Sequence, residues 1–223
     1  MINVAIDGPA GAGKSTLAKA VAKRLGYIYV DTGALYRAIA LFVIQRGVDV
    51  YNASKVAAML PMIDIELKYV GDEQRVYLCG ENVTSVIRTQ EVSAAASAVS
   101  AIAKVREFLF DLQLEMAQNN NVVMDGRDIG TVVLPNADVK IFLTASAEAR
   151  ARRRHKELVE KGHDVEFEAV LKSVNERDEQ DMNRPIAPLK QAKDAILLDT
   201  TELSLEESEI ALYNAIKDNL PRR

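Results

Sequence analysis

The amino-acid sequence predicts an α/β fold, in which a parallel β-sheet is flanked by helices and a small antiparallel β lobe is inserted. Short apolar runs alternate with stretches of helical periodicity along most of the chain, a pattern typical of strands buried on both faces. Residues 63–83 break this rhythm, because apolar and polar residues alternate there between turn signals. With 223 residues, of which 48% are hydrophobic, the chain can form one sizeable core, so we expect a single domain over residues 1–223.

The first two strands and helices are predicted around glycine-containing boundaries. Residues 2–6 alternate as in a strand, and residues 17–25 carry apolar side chains at helical spacing up to Gly26, which favours a helix end. Residues 27–30 suit a short strand. The next helix is expected over residues 31–47.

The inserted lobe is expected at approximately residues 60–98. Ile63–Val70 and Arg75–Cys79 suit antiparallel strands with one solvated face, and a turn at Gly71-Asp72-Glu73 would join them. Because Cys79 ends an apolar run, we expect it to be a buried core thiol.

Three further apolar runs and one helix complete the predicted fold. Asn121–Met124, Val139–Leu143 and Ala195–Leu198 have the length and composition of buried strands. Ser204–Glu207 has a capping-box pattern ahead of apolar residues at helical spacing, so we expect the chain to close with a helix.

The composition argues against several functional classes. A net charge of -4 gives no general attraction to nucleic acid, and no apolar run approaches the ~20 residues of a membrane span. One Cys and two His cannot form a zinc cluster of the usual spacing. The single Cys fits a reducing compartment, and the polar-containing first strand is unlike a signal peptide. We therefore expect a cytoplasmic protein with no nucleic-acid or membrane partner.

The glycine-rich turn after the first strand has the pattern of a phosphate-binding loop. Gly8–Ser15 matches G-x-x-x-x-G-K-[ST] between a strand and a helix. Its backbone N–H groups would face phosphate oxygens, Lys14 would place a positive charge at the β- and γ-phosphates, and the Ser15 hydroxyl could bind Mg²⁺. The alternative is a glycine-rich turn with an incidental lysine. The sequence predicts a P-loop NTPase-type site for ATP, formed by Gly8, Pro9, Ala10, Gly11, Ala12, Gly13, Lys14, Ser15 and Thr16.

Residues beyond this loop favour phosphoryl transfer over hydrolysis. The chain has no N-K-x-D motif for guanine. Asp125 ends an apolar run and could reach Mg²⁺, either directly or through water. It is followed by Gly126, where many ATPases have the Glu that activates a hydrolytic water. A second substrate is therefore expected to accept the phosphoryl group.

Several arginines indicate that this second substrate carries a phosphate. Arg37, Arg127, Arg177 and Arg184 lie near turns or Asp/Gly clusters, and a guanidinium group can hold two phosphate oxygens at once. A surface salt bridge is the alternative for any one of them.

A more basic run is expected to begin a lid at approximately residues 148–165. Four of the five residues from 150 to 154 are arginines, which repel one another without an anionic partner. A lid that closes over the triphosphate would provide that partner and exclude water. The alternatives are a solvated basic face and an RNA-binding patch.

Six stretches, spread over nearly the whole chain, together resemble the bacterial cytidylate kinase family of nucleoside monophosphate kinases. They are Ile6–Lys14, Asp31–Arg37, Ile87–Val92, Val105–Glu107, Asp125–Thr131 and Arg177–Arg184. The P-loop is shared by many families, whereas the Asp-Gly-Arg-Asp and Arg-Thr-Gln-Glu-Val stretches are far more specific. The inserted lobe also matches, as the enlarged monophosphate-binding region of these kinases.

The resemblance implies that ATP, with Mg²⁺, phosphorylates CMP and dCMP to CDP and dCDP in pyrimidine metabolism. It assigns cytosine recognition to Ser97, Arg106 and Asp128, ribose binding to Asp181, and acceptor-phosphate binding to Thr32, Arg37, Arg127 and Arg184. It places Arg150, Arg153 and Arg154 in the lid, the last two at ATP, and gives catalytic roles to Lys14, Arg127, Arg177 and Arg184. Ser15 and Asp125 are the implied Mg²⁺ ligands.

Two positions depart from the family pattern, and two other functions stay open. Thr32 stands where Ser is frequent, and the P-loop ends in Lys-Ser-Thr in place of Lys-Gly-Thr, so either Ser15 or Thr16 could make the closer contact. The alternative enzyme is a kinase of another small acceptor, such as UMP or a non-nucleotide alcohol. The alternative outside enzymes is an ATP-dependent switch whose arginine-rich helix binds RNA. We expect a monomer.

Overall fold

The computed structural model describes residues 1–71 and 73–221. Its helices and strands in chain order are β1 (Asn3–Asp7), α1 (Lys14–Leu25), β2 (Ile28–Asp31), α2 (Thr32–Gln45), α3 (Ala53–Met59), β3 (Ile65–Val70), β4 (Glu73–Leu78), β5 (Glu81–Asn82), α4 (Gln90–Ser100), α5 (Ala103–Asn119), β6 (Val122–Gly126), β7 (Val139–Thr144), α6 (Ala147–Glu160), α7 (Phe167–Asn183), β8 (Ile196–Asp199) and α8 (Leu205–Lys217). Short 3₁₀ turns lie at Leu60–Met62 and Val86–Arg88, and a π-helical turn lies at Ile129–Val133.

The central sheet has five parallel strands in the order β2-β6-β1-β7-β8. Val4 and Ile6 pack with the apolar side chains of α1 and α8 on one face, whereas Ala5 packs with the α5 side on the other. The strands are therefore buried on both faces, as their continuous apolar runs predict. The parallel α/β architecture expected from the sequence is confirmed.

The strand register brings polar residues to one edge of this sheet. Asp7 pairs with Gly126 across β1 and β6, and Asp31 pairs with Asp125 across β2 and β6. Because all five strands run the same way, their carboxyl ends meet at this edge, which is where ligands bind in open α/β sheets.

The insert is a three-stranded antiparallel sheet in the order β3-β4-β5, as the alternating pattern predicts. It contacts edge strand β2 through two hydrogen bonds. The Tyr69 hydroxyl donates to the Tyr29 carbonyl at 3.0 Å, and the Asp31 N–H donates to Gln74 Oε1 at 3.0 Å. Asp72, in the turn predicted between β3 and β4, lies outside the described residues.

Cys79 is exposed, so the prediction of a buried thiol is wrong. The apolar alternation of β4 directs Val76 and Leu78 into the core. Cys79 follows the end of that strand with a φ of 49°, where the chain turns toward β5. The strand alternation therefore stops at Leu78, and the Cys79 side chain lies outside the core with its thiol 3.6 Å from the Met62 carbonyl.

Further helices pack around the insert and beside the central sheet. α2 contributes Leu35, Ile39 and Phe42 to a core shared with α4, α5 and the insert. α6 and α7 pack as a pair around Ala151, Val170 and other apolar side chains. Among the described residues, no helix has both the length and the apolarity that crossing a membrane requires.

Candidate functional site

A cavity of about 670 Å³ opens at the carboxyl edge of the central sheet. It extends from the glycine-rich loop, past the ends of β2 and β6, to α4 and α7. Most residues that the sequence assigns to a site line it: Ala10, Gly11, Ala12, Gly13, Lys14, Ser15, Thr16, Thr32, Arg37, Ser97, Arg106, Asp125, Arg127, Asp128, Arg153, Arg177, Asp181 and Arg184. The assigned residues outside the lining are Gly8, Pro9 and Arg154.

The glycine-rich loop has the strand–turn–helix setting that phosphate binding requires. Gly8 passes so close to β7 that a Cβ there would lie 1.9 Å from the Leu143 carbonyl oxygen. Gly13, with a φ of 84°, is the N-terminal cap of α1 and contributes no side-chain acceptor. The first amides of α1 are therefore left for an anion.

Lys14 extends from this helix start into the cavity. Its side chain is buried, and its Nζ donates to the Pro9 carbonyl at 2.7 Å. Burial, followed by the charge of Arg127, lowers the pKa of Lys14 well below its usual value. A bound triphosphate would place negative charge beside the ammonium group and so stabilise its charged form.

Asp125 joins the loop to the end of β6. The Ser15 hydroxyl donates to its Oδ2 at 2.9 Å, and the Tyr29 hydroxyl donates to its Oδ1 at 2.8 Å. Burial, with the neighbouring charge of Asp31, raises the pKa of Asp125 to about 6. The Thr32 hydroxyl donates to the Asp125 carbonyl at 2.8 Å, which ties the start of α2 to the same strand.

Ser15 and Asp125 form only a partial cation site. Within residues 1–71 and 73–221, no group of three or more His, Cys, Asp or Glu is arranged to hold a metal. A hydroxyl and one carboxylate match the sparse protein ligation of Mg²⁺, whose remaining ligands are usually water and substrate phosphate oxygens. The donor set therefore fits Mg²⁺ brought in with a nucleotide.

Arginines from α2, from the residue after β6 and from α7 line the middle of the cavity. Arg37 Nη2 lies 2.7 Å from Asp31, and Arg127 Nε lies 2.8 Å from Asp181. The Nε atoms of Arg37 and Arg177 are buried and have no hydrogen-bond partner within residues 1–71 and 73–221. Burial, followed by the charge of Arg127, lowers the pKa of Arg177. These two guanidinium N–H groups are therefore available to donate hydrogen bonds to an anionic ligand.

The far end of the cavity is an ion-pair network around Asp128. Its carboxylate pairs with Arg106 and lies 3.3 Å from Arg184 Nη2. Arg106 also donates to the Ser100 carbonyl, and the ring of Tyr36 lies 5.6 Å from its guanidinium carbon. Polar donors and an acceptor are thus gathered beside an aromatic ring.

Ser97 also lines this end, from the small-residue helix α4. Its carbonyl accepts from the Ser100 hydroxyl at 2.8 Å. Ser97 therefore lies in the same cavity as Arg106 and Asp128, and its role in cytosine recognition stays a prediction.

Arg150, which the sequence assigns to the lid, has its partners inside the protein in this structure. It is buried, and it donates to the Ala10 carbonyl at 3.0 Å and to Asp178 at 2.9 Å. Its charge is already compensated within the protein, so it attaches α6 to the P-loop and to α7. A run of adjacent arginines cannot reveal this, because consecutive residues face different sides of a helix.

The other arginines of α6 differ from one another. Arg153 lines the cavity and donates to the Thr200 carbonyl at 2.6 Å. Arg154 lies 3.2 Å from Glu157 on the same helix, and Arg152 pairs with Glu148 on the exposed face.

Sequence reasoning missed several residues that line the cavity. Tyr36 lies four residues after Thr32, and Ser100 lies three residues after Ser97, so helical spacing could have found both. Asp31 could have been noticed as the N-terminal cap of α2, since its side chain accepts from the Ala34 N–H. Residues 203–205 and Ser208 reach the cavity only through the packing of α8, for which no local signal exists.

Comparisons with known proteins agree with this geometry. The family model described as cytidylate kinase matches residues 4–217. A cytidylate kinase from Caldicellulosiruptor bescii is 53% identical over 206 residues, covering 92% of this chain and 91% of that protein. A cytidylate kinase from Carboxydothermus hydrogenoformans is 50% identical over 216 residues, covering 96% of this chain and 97% of that protein.

A solved structure supports the fold independently of close sequence similarity. An uncharacterized protein from Eubacterium ventriosum superposes with a TM-score of 0.55 at 11% identity, covering 97% of this chain and 99% of that chain. Because the family match and the similar sequences extend over nearly the whole length, this chain belongs to the cytidylate kinase family.

Proposed function

We propose that the protein transfers the γ-phosphoryl group of ATP to the phosphate of CMP or dCMP. The single observation that carries this proposal is that one cavity joins the P-loop to the Asp128 network, with unpartnered arginine donors between them. Such an arrangement suits two nucleotides that meet phosphate to phosphate.

The donor half is formed by the P-loop and the neighbouring start of α8. The amides at the start of α1 and the cation of Lys14 would hold the β- and γ-phosphates. Arg153 lines the same part of the cavity and would contact ATP. When bound, Mg²⁺ would neutralise phosphate charge, and Ser15 and Asp125 are the residues that would hold it.

The acceptor half follows from the arginine cluster and the Asp128 network. Thr32, Arg37, Arg127 and Arg184 would hold the phosphate of CMP, and Asp181 would accept hydrogen bonds from the ribose hydroxyls. The carboxylate of Asp128 would accept from the C4 amino group of cytosine, while Arg106 and Ser97 would donate to its ring acceptors. The charges are complementary to an anionic sugar phosphate that carries a neutral base.

The chemistry needs positioning and charge neutralisation more than proton transfer. The attacking oxygen of CMP belongs to an ionised phosphate, so no strong base is required. Lys14, Arg127, Arg177 and Arg184 would stabilise the charge on the phosphoryl group during direct in-line transfer, without a phosphoenzyme. Closure of the approximately 148–165 segment would exclude water from the reaction.

An acceptor panel tests this function. The wild-type protein, with ATP and Mg²⁺, would be assayed for ADP formation with CMP, dCMP, UMP, AMP and no acceptor. We expect CMP and dCMP to accelerate ADP formation far more than the others, and EDTA to abolish it. Turnover that is slow and indifferent to CMP, together with salt-sensitive RNA binding, would instead favour the switch.

Asp128→Ala is expected to weaken the preference for CMP over UMP. Uracil presents a carbonyl at C4, and its contact with a buried carboxylate costs ~1–3 kcal/mol or more, equivalent to about tenfold or more in selectivity. The alanine variant removes this penalty together with the favourable contact to cytosine. The measurement is the ratio of kcat/KM for the two nucleotides, and an unchanged ratio would contradict the role of Asp128.

A further inference from the structure

The polypeptide immediately after Asp128 makes a rare π-helical turn, Ile129–Val133. The first amides of any helical turn need acceptors outside it, and the preceding residue often supplies one from its side chain. Asp128 has a side chain well suited to this task, yet it makes no such capping bond. Its carboxylate is directed to Arg106 and Arg184.

Asp7 supplies the missing acceptors from another part of the chain. The Ile129 N–H donates to Asp7 Oδ1 at 2.7 Å, and the Gly130 N–H donates to Asp7 Oδ2 at 2.7 Å. Asp7 is 4% exposed and ends strand β1, directly before Gly8 of the P-loop. The donor loop and the turn that carries Asp128 are therefore joined through one carboxylate.

The fit around this carboxylate is close. A Cβ on Gly130 would lie 3.3 Å from Asp7 Oδ2 and 3.2 Å from the Cδ of Lys140, so Gly130 allows the turn to approach β1. Burial raises the pKa of Asp7 to about 6, although both amide bonds favour its charged form. The nearby negative charge of Asp128 also acts to raise the pKa of Asp7.

We propose that Asp7 is a positioning residue, which caps the Ile129–Val133 turn in place of Asp128 and thereby holds the Asp128 carboxylate toward the acceptor base. This inference rests on the proposed function, because its consequence for activity is the recognition of CMP. The amides that a capping Asp128 could bind are those of Gly130 and Thr131, and Asp7 occupies the first of them. Because Asp7 holds the first turn from the β1 side and carries the same charge, the Asp128 carboxylate is disfavoured at these amides and stays paired with Arg106 and Arg184.

The test begins with Asp7→Asn. An amide has one acceptor oxygen, so one of the two N–H groups loses its partner, and the repulsion of Asp128 disappears. We expect the ratio of kcat/KM for CMP over UMP to fall by about tenfold, with the KM for ATP changed by no more than about twofold. Asp138→Asn is the matched control, because the Asp138 carboxylate accepts from the Asn3 N–H at the other end of β1.

A double variant separates positioning from general weakening of the fold. If Asp7 acts through Asp128, adding Asp7→Asn to Asp128→Ala should leave the nucleotide ratio of the single Asp128→Ala variant unchanged. Equal, additive losses in the two backgrounds would overturn the proposal. So would an Asp7→Asn variant that folds normally and keeps the wild-type ratio.

A structural readout keeps this inference distinct from the proposed function. In a crystal structure of Asp7→Asn, we expect the Asp128 carboxylate to have turned toward the N–H groups of Gly130 and Thr131. Asp7→Glu, which keeps both acceptor oxygens but displaces them by one methylene, serves if the asparagine variant does not fold. An Asp128 carboxylate that stays on Arg106 and Arg184 would refute positioning by Asp7. A wild-type protein without any preference for CMP would refute the proposed function alone.

Discussion

Replacing Lys14 by Ala is expected to lower kcat by about 10²-fold or more, the loss seen when one preorganised transition-state stabiliser is removed. Lys14 is buried at the start of α1, with the Pro9 carbonyl at 2.7 Å as its hydrogen-bond acceptor. Its lowered pKa shows that the site stabilises this charge poorly before a nucleotide arrives. The negative charge on the phosphoryl group during transfer would be stabilised by the ammonium of Lys14, which is shielded from water and therefore interacts strongly.

The measurement is kcat at saturating ATP, CMP and Mg²⁺, with the thermal unfolding midpoint recorded for each variant. Lys14→Met keeps most of the side-chain volume and should lose as much activity as Lys14→Ala. Lys19→Ala is the control, because Lys19 lies on the same helix but is exposed, 3.7 Å from Glu73. A folded Lys14 variant with near-normal turnover would remove Lys14 from the mechanism.

The P-loop, the parallel sheet and the insert could be predicted because their signals are local. Gly8–Ser15 carries its motif within eight residues, and strand and helix periods are visible in short windows. The arginines of the acceptor half are indicated by their place near turns and Asp/Gly clusters, whereas Ser97, Arg106 and Asp128 could be named only through resemblance to a family. Asp128 follows β6 and Arg184 follows α7, 56 residues later, and only the folded chain brings the two side chains within 3.3 Å.

The sequence could not predict which side chains pair with each other through hydrogen bonds and ion pairs. Arg150 looks like the arginines beside it, yet Asp178 and the Ala10 carbonyl fix it inside the protein. Asp7 precedes the phosphate-binding motif, and its capping role could not be predicted because its hydrogen-bond donors lie 122 and 123 residues away. Partners at such distances are set by strand order, which a motif does not encode.

Replacing Arg184 by Ala is expected to lower kcat/KM for CMP by about 10²-fold or more, because one guanidinium would serve both acceptor binding and transition-state stabilisation. It lies 3.3 Å from Asp128 and 4.0 Å from Asp181, where the network around the base meets the arginine cluster. Burial lowers the pKa of Arg184, while the charge of Asp128 opposes this effect. An anionic acceptor would gain a strong, poorly screened partner at this point.

The substitution should leave a folded protein, because Asp128 would keep its ion pair with Arg106 and Asp181 would keep the bond from Arg127. Arg184→Lys is the sharper comparison, since it restores the charge without the planar fork. If the fork holds two phosphate oxygens, lysine should recover only a minor part of kcat/KM. Full recovery by lysine would reduce Arg184 to a point charge, and wild-type kcat/KM in Arg184→Ala would exclude it from the site. Arg152→Ala removes an exposed arginine paired with Glu148 and is the control, so it should leave kcat and KM for CMP unchanged.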